Sequence, residues 1–448
     1  MISECGIIRF VKKFSKYEEE LQMNKKIKLL SFFAIAMVAL VGLVACNDGG
    51  GDSDEITVWA WDPNFNIRAL DIAASTFADI NPDITVNIVE TAQDDVISQL
   101  NTMLPSGTDV GLPNIVLIED YRAQVFLQAF PGMFYALDEY INPGDFSPYK
   151  IPMTSLEGRQ YGVPFDTGVS GFFVRTDVLA QAGFSVDDVT NIDWNELIDI
   201  AIEVRDVTGL PMLTVDPSDL AIVRQMLQTA GLWYTLEDGI TPHIADNEGI
   251  AIGFDVFARL INEGISLPVT DWGGFVGGFN SGDVWSVPTG NWITASVMNA
   301  EDQAGNWAVV PFPRMPGMPA VNATNLGGSS WYVLNIDGRE AAAEFLAETF
   351  GSNTDFYVEL LNEIGAMGTF MPATTAPEFA QEVEFFNGQR IFSDFAQWAS
   401  EIPEVNFGMH TYAIEDILAV AMQDFLGGQD IQTVLDAAQA QADSQLNQ

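Results

Sequence analysis

Tryptophans, and the carboxylates beside them, are the side chains whose types and spacing suggest chemistry. Trp61, Trp233, Trp272, Trp292 and Trp331 fall at predicted strand ends or in glycine-containing loops, the places where open α/β sheets bind ligands. An indole buries apolar area while its N–H reaches a partner, which suits the C–H face and hydroxyl edge of a sugar ring. Asp62 follows Trp61, Asp120 precedes Tyr121 and Asp166 follows Phe165. Ionised carboxylates accept directed hydrogen bonds and so suit vicinal hydroxyls. Trp59, Trp194, Trp307 and Trp398 sit inside predicted elements and are expected in the core, because large aromatics are mostly buried. Trp285 fits either set. Asp138-Glu139 and Glu415-Asp416 read as solvated surface.

Enzymatic signatures are missing from the sequence: no phosphate-binding G-x-x-x-x-G-K-[ST], no G-x-G-x-x-G, no H-E-x-x-H and no nucleophile elbow. The chain beyond Cys46 has no thiol, and its only histidines are His243 and His410. A metal or Cys–His site is therefore not expected, and no cofactor is implied. A retaining glycosidase needs only two carboxylates about 5 Å apart, so an anchored glycoside hydrolase stays open as an alternative, as does a surface adhesion or sensory protein.

The amino-terminal region reads as an export signal. Lys25, Lys26 and Lys28 precede an uncharged apolar run, Leu29 to Ala45, that ends in Leu43-Val44-Ala45-Cys46. A membrane-spanning helix needs about 20 apolar residues; this run is shorter and lacks a basic flank after it. Residues 1–22 carry mixed charges upstream of a complete signal over 23–45, which points to a true start at Met23. Residues 46–55 are polar and glycine-rich and read as a flexible tether.

Seven of the 18 basic and four of the 62 acidic residues lie in 1–45, which leaves 11 against 58 and a formal net charge of −47. Such a field repels nucleic acid and anionic lipid headgroups. A small neutral ligand fits this composition better than an anion. An exported body with no possible disulfide must be held by its own core, and its length is ample for two lobes.

From Ile56 the pattern alternates. Residues 56–61 and 84–89 read as buried strands and 114–118 as a third, with helices from Asn66 and Asp94 between them, a spacing that argues for a parallel α/β sheet. After the turn-rich passage Tyr161–Asp166, a strand at Phe172-Phe173-Val174 opens a second α/β unit. Helices are expected over 194–207, 220–230 and 249–262, a short strand near Met212, and further strands at Trp307–Pro311 and after Gly327-Gly328-Ser329-Ser330-Trp331. The tail from about Glu378 reads as helical.

Taken in order, several motifs resemble the maltodextrin-binding-protein-like extracellular carbohydrate-binding lipoproteins of bacterial ABC importers. They are the Leu-x-Ala-Cys box, the tether, a first strand ending in W-A-W-D, Y-G-V-P-F-D-T-G at 161–168, G-N-W at Gly290–Trp292, and G-G-S-S-W before a strand and an A-A-x-F-L helix. The resemblance implies two α/β lobes, each a mainly parallel sheet flanked by helices, joined by three hinge crossings near Val163-Pro164, Pro311-Phe312 and Met371-Pro372. Lobe one would take 56–163 and 312–370, and lobe two 164–311 and 371–448. The sugar would lie in the cleft, with Trp292 of the Gly290-Asn291-Trp292 motif stacking on it. Glu119 and Asp120, with Tyr121 beside them, would supply polar contacts from the first lobe, and Trp233 or Tyr234 an aromatic from the second. His410 and Tyr412 stand where relatives place another aromatic. Cys46 would carry lipid on the outer face of the cytoplasmic membrane. The expected partners are a carbohydrate and the permease of an importer, with the protein itself a monomer and not an enzyme.

Overall fold

The computed structural model describes residues 55–446 apart from 64 and 108. The expected leader, Cys46 and the tether up to residue 54 lie outside the described residues.

Strands and helices alternate through the first third of the chain as the hydrophobic pattern requires: β1 (Glu55–Ala60), α1 (Asn66–Ile80), β2 (Thr85–Glu90), α2 (Gln93–Met103), β3 (Ile115–Glu119) and α3 (Asp120–Ala129). Helix α1 buries Ala69, Leu70, Ala73 and Phe77, a single stripe at helical spacing. It stops at Asn81 because Pro82 has no N–H to continue it. Both neighbours of β1 run parallel to it. The sheet is completed by β4 (Gly162–Pro164) and by a strand from far down the chain, Ser329–Val333, in the order β2-β1-β3-(329–333)-β4. That late strand is antiparallel to both β3 and β4.

The second lobe is built around β5 (Ser170–Arg175). Helix α4 (Trp194–Thr208) starts in a reciprocal capping box: Asp193 Oδ1 accepts from the Asn195 and Glu196 amides, and Glu196 Oε2 accepts from the Asp193 amide. Such a cap stabilises a helix by about 1 kcal/mol. Gly209 ends the helix at φ 78°. Then follow β6 (Leu213–Val215), α5 (Ala221–Thr229), α6 (Glu248–Asn262), β7 (Ser266–Pro268), α7 (Trp272–Asn280), β8 (Ser286–Gly290) and β9 (Trp307–Pro311). Both β8 and β9 pair antiparallel with β5, so the main sheet of this lobe departs from the mainly parallel arrangement expected. Among the described strands of this lobe, the short β6–β7 pair is the parallel one. The expected core tryptophans Trp59, Trp194, Trp307 and Trp398 are buried, and so is Trp285.

The late strand of the first sheet is β10 (Ser329–Val333), followed by α8 (Arg339–Glu348), α9 (Thr354–Ile364), α10 (Ile391–Ala399), α11 (Thr411–Leu426) and α12 (Ile431–Leu446). Among the described residues no helix is long and apolar enough to cross a membrane.

The crossings between lobes lie later in the chain than expected at two of the three places. Residues 312–325 stay with the second lobe: the Phe312 ring packs edge-on against Trp194, the Met315 amide donates to Thr229 Oγ1, and Thr324 Oγ1 donates to Gln228 Oε1. The chain returns to the first sheet only at Ser329. Proline marks the end of β9, not the hinge. Likewise residues 371–375 remain on the first lobe beside α9, and the passage to α10 comes after them, where Ser393 Oγ donates to the Phe379 carbonyl. The first crossing, just after Pro164, runs beside the second. Val169 bridges Asn325, and the Leu326 amide donates to the Gly168 carbonyl at 2.7 Å. A side chain at Gly168 would collide with the backbone of Leu326 and Gly327.

Lys150 pins this hinge region. Its ammonium is fully buried, donates to Asp120 Oδ2 at 2.5 Å, and reaches the carbonyls of Asp166 and Ser329 at 3.1 and 2.9 Å. One cation thereby joins the start of α3 to both adjacent crossings.

Candidate functional site

A cavity of about 270 Å³ opens at one end of the β6–β7 pair. Strand β6 ends in the turn Asp216-Pro217, where Asp216 Oδ1 accepts from the Ser218 amide and hydroxyl. The turn delivers the chain into α5, whose first amide is capped by Asp219 Oδ1 at 2.9 Å. Opposite, Asp271 Oδ1 caps α7 by accepting from the Gly274 amide at 2.7 Å. Each carboxylate therefore spends one oxygen on backbone geometry, and all three line the cavity. No lysine or arginine does so.

Two indoles form the rim. Trp272 opens α7 and is 58 % exposed; Trp292 follows β8 and is 37 % exposed. Their ring centroids are 5.8 Å apart with planes tilted by 36°. The Trp292 N–H donates to the Leu326 carbonyl at 2.9 Å, which ties the ring to the hinge crossing. Gly290 permits this contact: a Cβ there would run into the Trp292 ring and the Leu326 oxygen. Large exposed aromatics beside carboxylates, with no cation, make a surface for a ligand with apolar faces and hydroxyl edges.

Of the residues expected from sequence, only Trp272 and Trp292 line this cavity. Asn291 begins the short turn that carries Trp292 and is buried, its Oδ1 lacking a partner among the described residues. Trp61 is half-buried and packs against the first-lobe core; Asp62 follows it at φ 62°. Trp331 is a correction. It lies inside β10, 0 % exposed, packed between Phe165 and Phe350. Asp120 is a second correction: it is fully buried, and both oxygens are engaged, Oδ2 with Lys150 and Oδ1 with the Ser330 hydroxyl. Burial pushes its carboxyl up to about 6, against the opposing pull of the Lys150 charge. Asp166 Oδ1 accepts from both the amide and hydroxyl of Ser329, which fastens the two crossings together.

Tyr121 and Trp233 meet elsewhere, in a buried contact between the lobes. Their rings stack at 5.9 Å, Phe407 packs against both, and the Trp233 N–H donates to Thr411 Oγ1. The Arg224 guanidinium lies 4.6 Å from the Tyr121 centroid and pairs with Glu415, which also accepts from the Tyr234 hydroxyl. Glu415 is thus half-buried and bonded into this cluster, and not solvated surface. Glu119 belongs to the same cluster through Tyr412. Burial pushes the Glu119 and Glu415 carboxyls above the ordinary range, opposed by the Tyr412 hydrogen bond and by the Arg224 charge respectively.

Sequence reasoning missed Asp216, Asp219, Asp271 and Gln225. The Asp216-Pro217 turn, between the strand near Met212 and the next helix, was the available signal. Among the described residues no cluster of histidine and carboxylates could hold a metal ion.

A family model for bacterial extracellular solute-binding proteins matches residues 73–387. A lactose-binding protein of Rhizobium radiobacter is 40 % identical over 393 residues, 88 % of this chain and 93 % of its own. An arabinooligosaccharide-binding protein of Bacillus subtilis is 24 % identical over 72 % of this chain and 76 % of its own. Among solved structures, the sugar-binding protein MalE of Xanthomonas citri superposes with a TM-score of 0.73 at 16 % identity, over 88 % of this chain and 97 % of its own. The ABC-transporter-associated binding protein of B. animalis subsp. lactis, in complex with β-1,6-galactobiose, does so with a TM-score of 0.67 at 22 % identity, over 87 and 97 %. With its two lobes, its three crossings and these matches over most of its length, the chain belongs to the bacterial extracellular solute-binding proteins.

Proposed function

We propose that this protein captures a neutral sugar of disaccharide to oligosaccharide size and delivers it to the permease of an ABC importer, without turning it over. The observation that carries this reading is the pair of exposed indoles, Trp272 and Trp292, over a cavity edged by carboxylates and free of cations. An anion would meet three carboxylates there. A sugar offers hydroxyls to them and a C–H face to the rings. The names of the relatives, a lactose-binding protein at 40 % identity above all, support the same ligand class. We place the first-lobe residues Trp61 and Asp62 on the opposing wall, across the crossings about which the lobes close.

Thermal-shift screening tests this directly, because a ligand at 100 times its dissociation constant adds about 2.7 kcal/mol of stability. Lactose, β-1,6-galactobiose and arabinooligosaccharides form the first panel. A saturable shift with at least one, no release of reducing ends and a smaller radius of gyration on binding are the expected results. Stabilisation only by anions or peptides would overturn the reading. Leu43-Val44-Ala45-Cys46 supports a lipid anchor at Cys46 on a monomer held outside the cytoplasmic membrane. Mass spectrometry of the exported protein should find an acylated Cys46 as its first residue; an unmodified terminus elsewhere would rule the anchor out.

A further inference from the structure

One polar atom in the cavity wall has nothing to bond. Gln225 lies on α5, is 0 % exposed and lines the cavity. Its amide nitrogen donates to the Ala221 carbonyl one turn back, at 3.2 Å. That bond fixes which way the amide faces, since the reverse would press two acceptor oxygens together. Oε1 is left without a partner among the described residues. Buried acceptors are almost always satisfied, and an orphan calls for an explanation.

The neighbouring groups sharpen what that partner must be. Asp216 and Asp271 bring further lone pairs. The Ser286 hydroxyl donates to the Met212 carbonyl and has no second hydrogen to offer. The lining also holds the hydroxyls of Thr214 and Thr289, but neither is bonded to Gln225 Oε1, which can only accept. A ligand atom seated there has to bring its own hydrogen, and a free hydroxyl does so without adding charge.

We propose, resting on the sugar-binding reading above, that Gln225 is a specificity-determining residue whose Oε1 accepts a hydrogen bond from one free hydroxyl of the bound sugar. The site then requires a hydroxyl at that ring position. It rejects sugars that are deoxygenated or O-methylated there, while the indole pair tolerates changes elsewhere on the ring.

Calorimetric titration tests this with lactose as the probe, or with β-1,6-galactobiose should lactose not bind. The proteins are the wild type, Gln225→Met and Trp292→Ala; the ligands are the parent sugar and its monodeoxy analogues. Gln225→Met keeps length and removes the acceptor, and should bind the parent sugar about tenfold more weakly. One monodeoxy analogue should lose the same factor on the wild type, and Gln225→Met should no longer distinguish it from the parent. Trp292→Ala should weaken all the ligands alike. If folded Gln225→Met binds and discriminates as the wild type does, a buried water satisfies Oε1 and the proposal is wrong. Should that variant not fold, the wild-type series decides, and equal affinity for every analogue overturns the proposal. If neither binds, the panel sugar that gave the thermal shift becomes the probe; failure of the wild type to bind any sugar of the panel removes the sugar-binding reading, and this inference with it.

Discussion

The hydroxyl of Tyr412, on α11 of the second lobe, donates to Glu119 Oε1 at the end of β3 in the first, 2.7 Å across 293 residues of sequence. The Arg122 guanidinium lies 4.4 Å from the Tyr412 centroid, and its Nε stands 3.4 Å from Glu119 Oε2. A hydrogen bond to a charged acceptor stabilises by about 1.5–3 kcal/mol. This one lies between bodies that must separate if the cleft is to open.

Tyr412→Phe should therefore lower stability by about 1–3 kcal/mol and favour an open arrangement. Glu119→Leu, which removes the acceptor, should cost at least as much, and the double variant less than the sum, because both remove one interaction. Denaturant titration of the four proteins measures the coupling. Strict additivity would show that the contact carries no energy.

Lys150→Met should be the most damaging single change in the hinge. It strands the Asp120 carboxylate in a dry interior, and breaking such a pair costs about 3–5 kcal/mol. Adding Asp120→Leu should return much of the loss, since replacing both charges can be nearly neutral. Circular dichroism melts of the single and double variants check this; a double variant no better than Lys150→Met would contradict it.

Stability should fall as pH rises from about 4 to 6. Burial raises the Asp120 carboxyl to about 6 in the folded protein and lifts Glu119 and Glu415 above their ordinary range. The folded state then binds more protons than the unfolded one across this window, so the contribution present below pH 4 is lost as pH passes the raised values. For Asp120 the linkage is on the order of 3 kcal/mol. Exposed Asp138, Asp188 and Asp238, whose hydrogen bonds lower their carboxyls, act in the opposite sense and withdraw support only below about pH 4. Melting temperatures at pH 5 and 7.5 test the sign: the higher value belongs at pH 5.

Trp292→Ala should weaken sugar binding at least tenfold, from loss of aromatic contact and of buried area. Trp272→Ala, at the more exposed ring, should cost less. Titration of both variants with the screened sugar gives the order, and the reverse order would move the main stacking surface to α7.

The first sheet was readable because β1, β2 and β3 alternate with helices whose apolar stripes are unambiguous. Trp292 came from the Gly290-Asn291-Trp292 motif, and it stands at the cavity rim just after β8. Trp331 was not readable. Gly327 and Gly328 suggested a longer loop, but their φ values of 79° and 96° complete the turn before Ser329, and β10 is then covered on both edges. Burial from both sides leaves no sequence mark on one aromatic. Asp216 and Asp271 escaped notice for another reason: in so acidic a chain, a capping aspartate at a cavity looks like any other. Gln225 gave no sign at all, because an amide on a helix becomes informative only when its partners can be counted.

Lys150 is the only lysine among the described residues and is fully buried. The folded body consequently offers no ε-amine to reagents that acylate lysine. An amine-reactive dye should leave this region unlabelled under native conditions and mark Lys150 once the hinge opens. That makes the residue a chemical reporter of unfolding, and makes carbodiimide coupling through carboxylates the natural route for attaching the body to a surface.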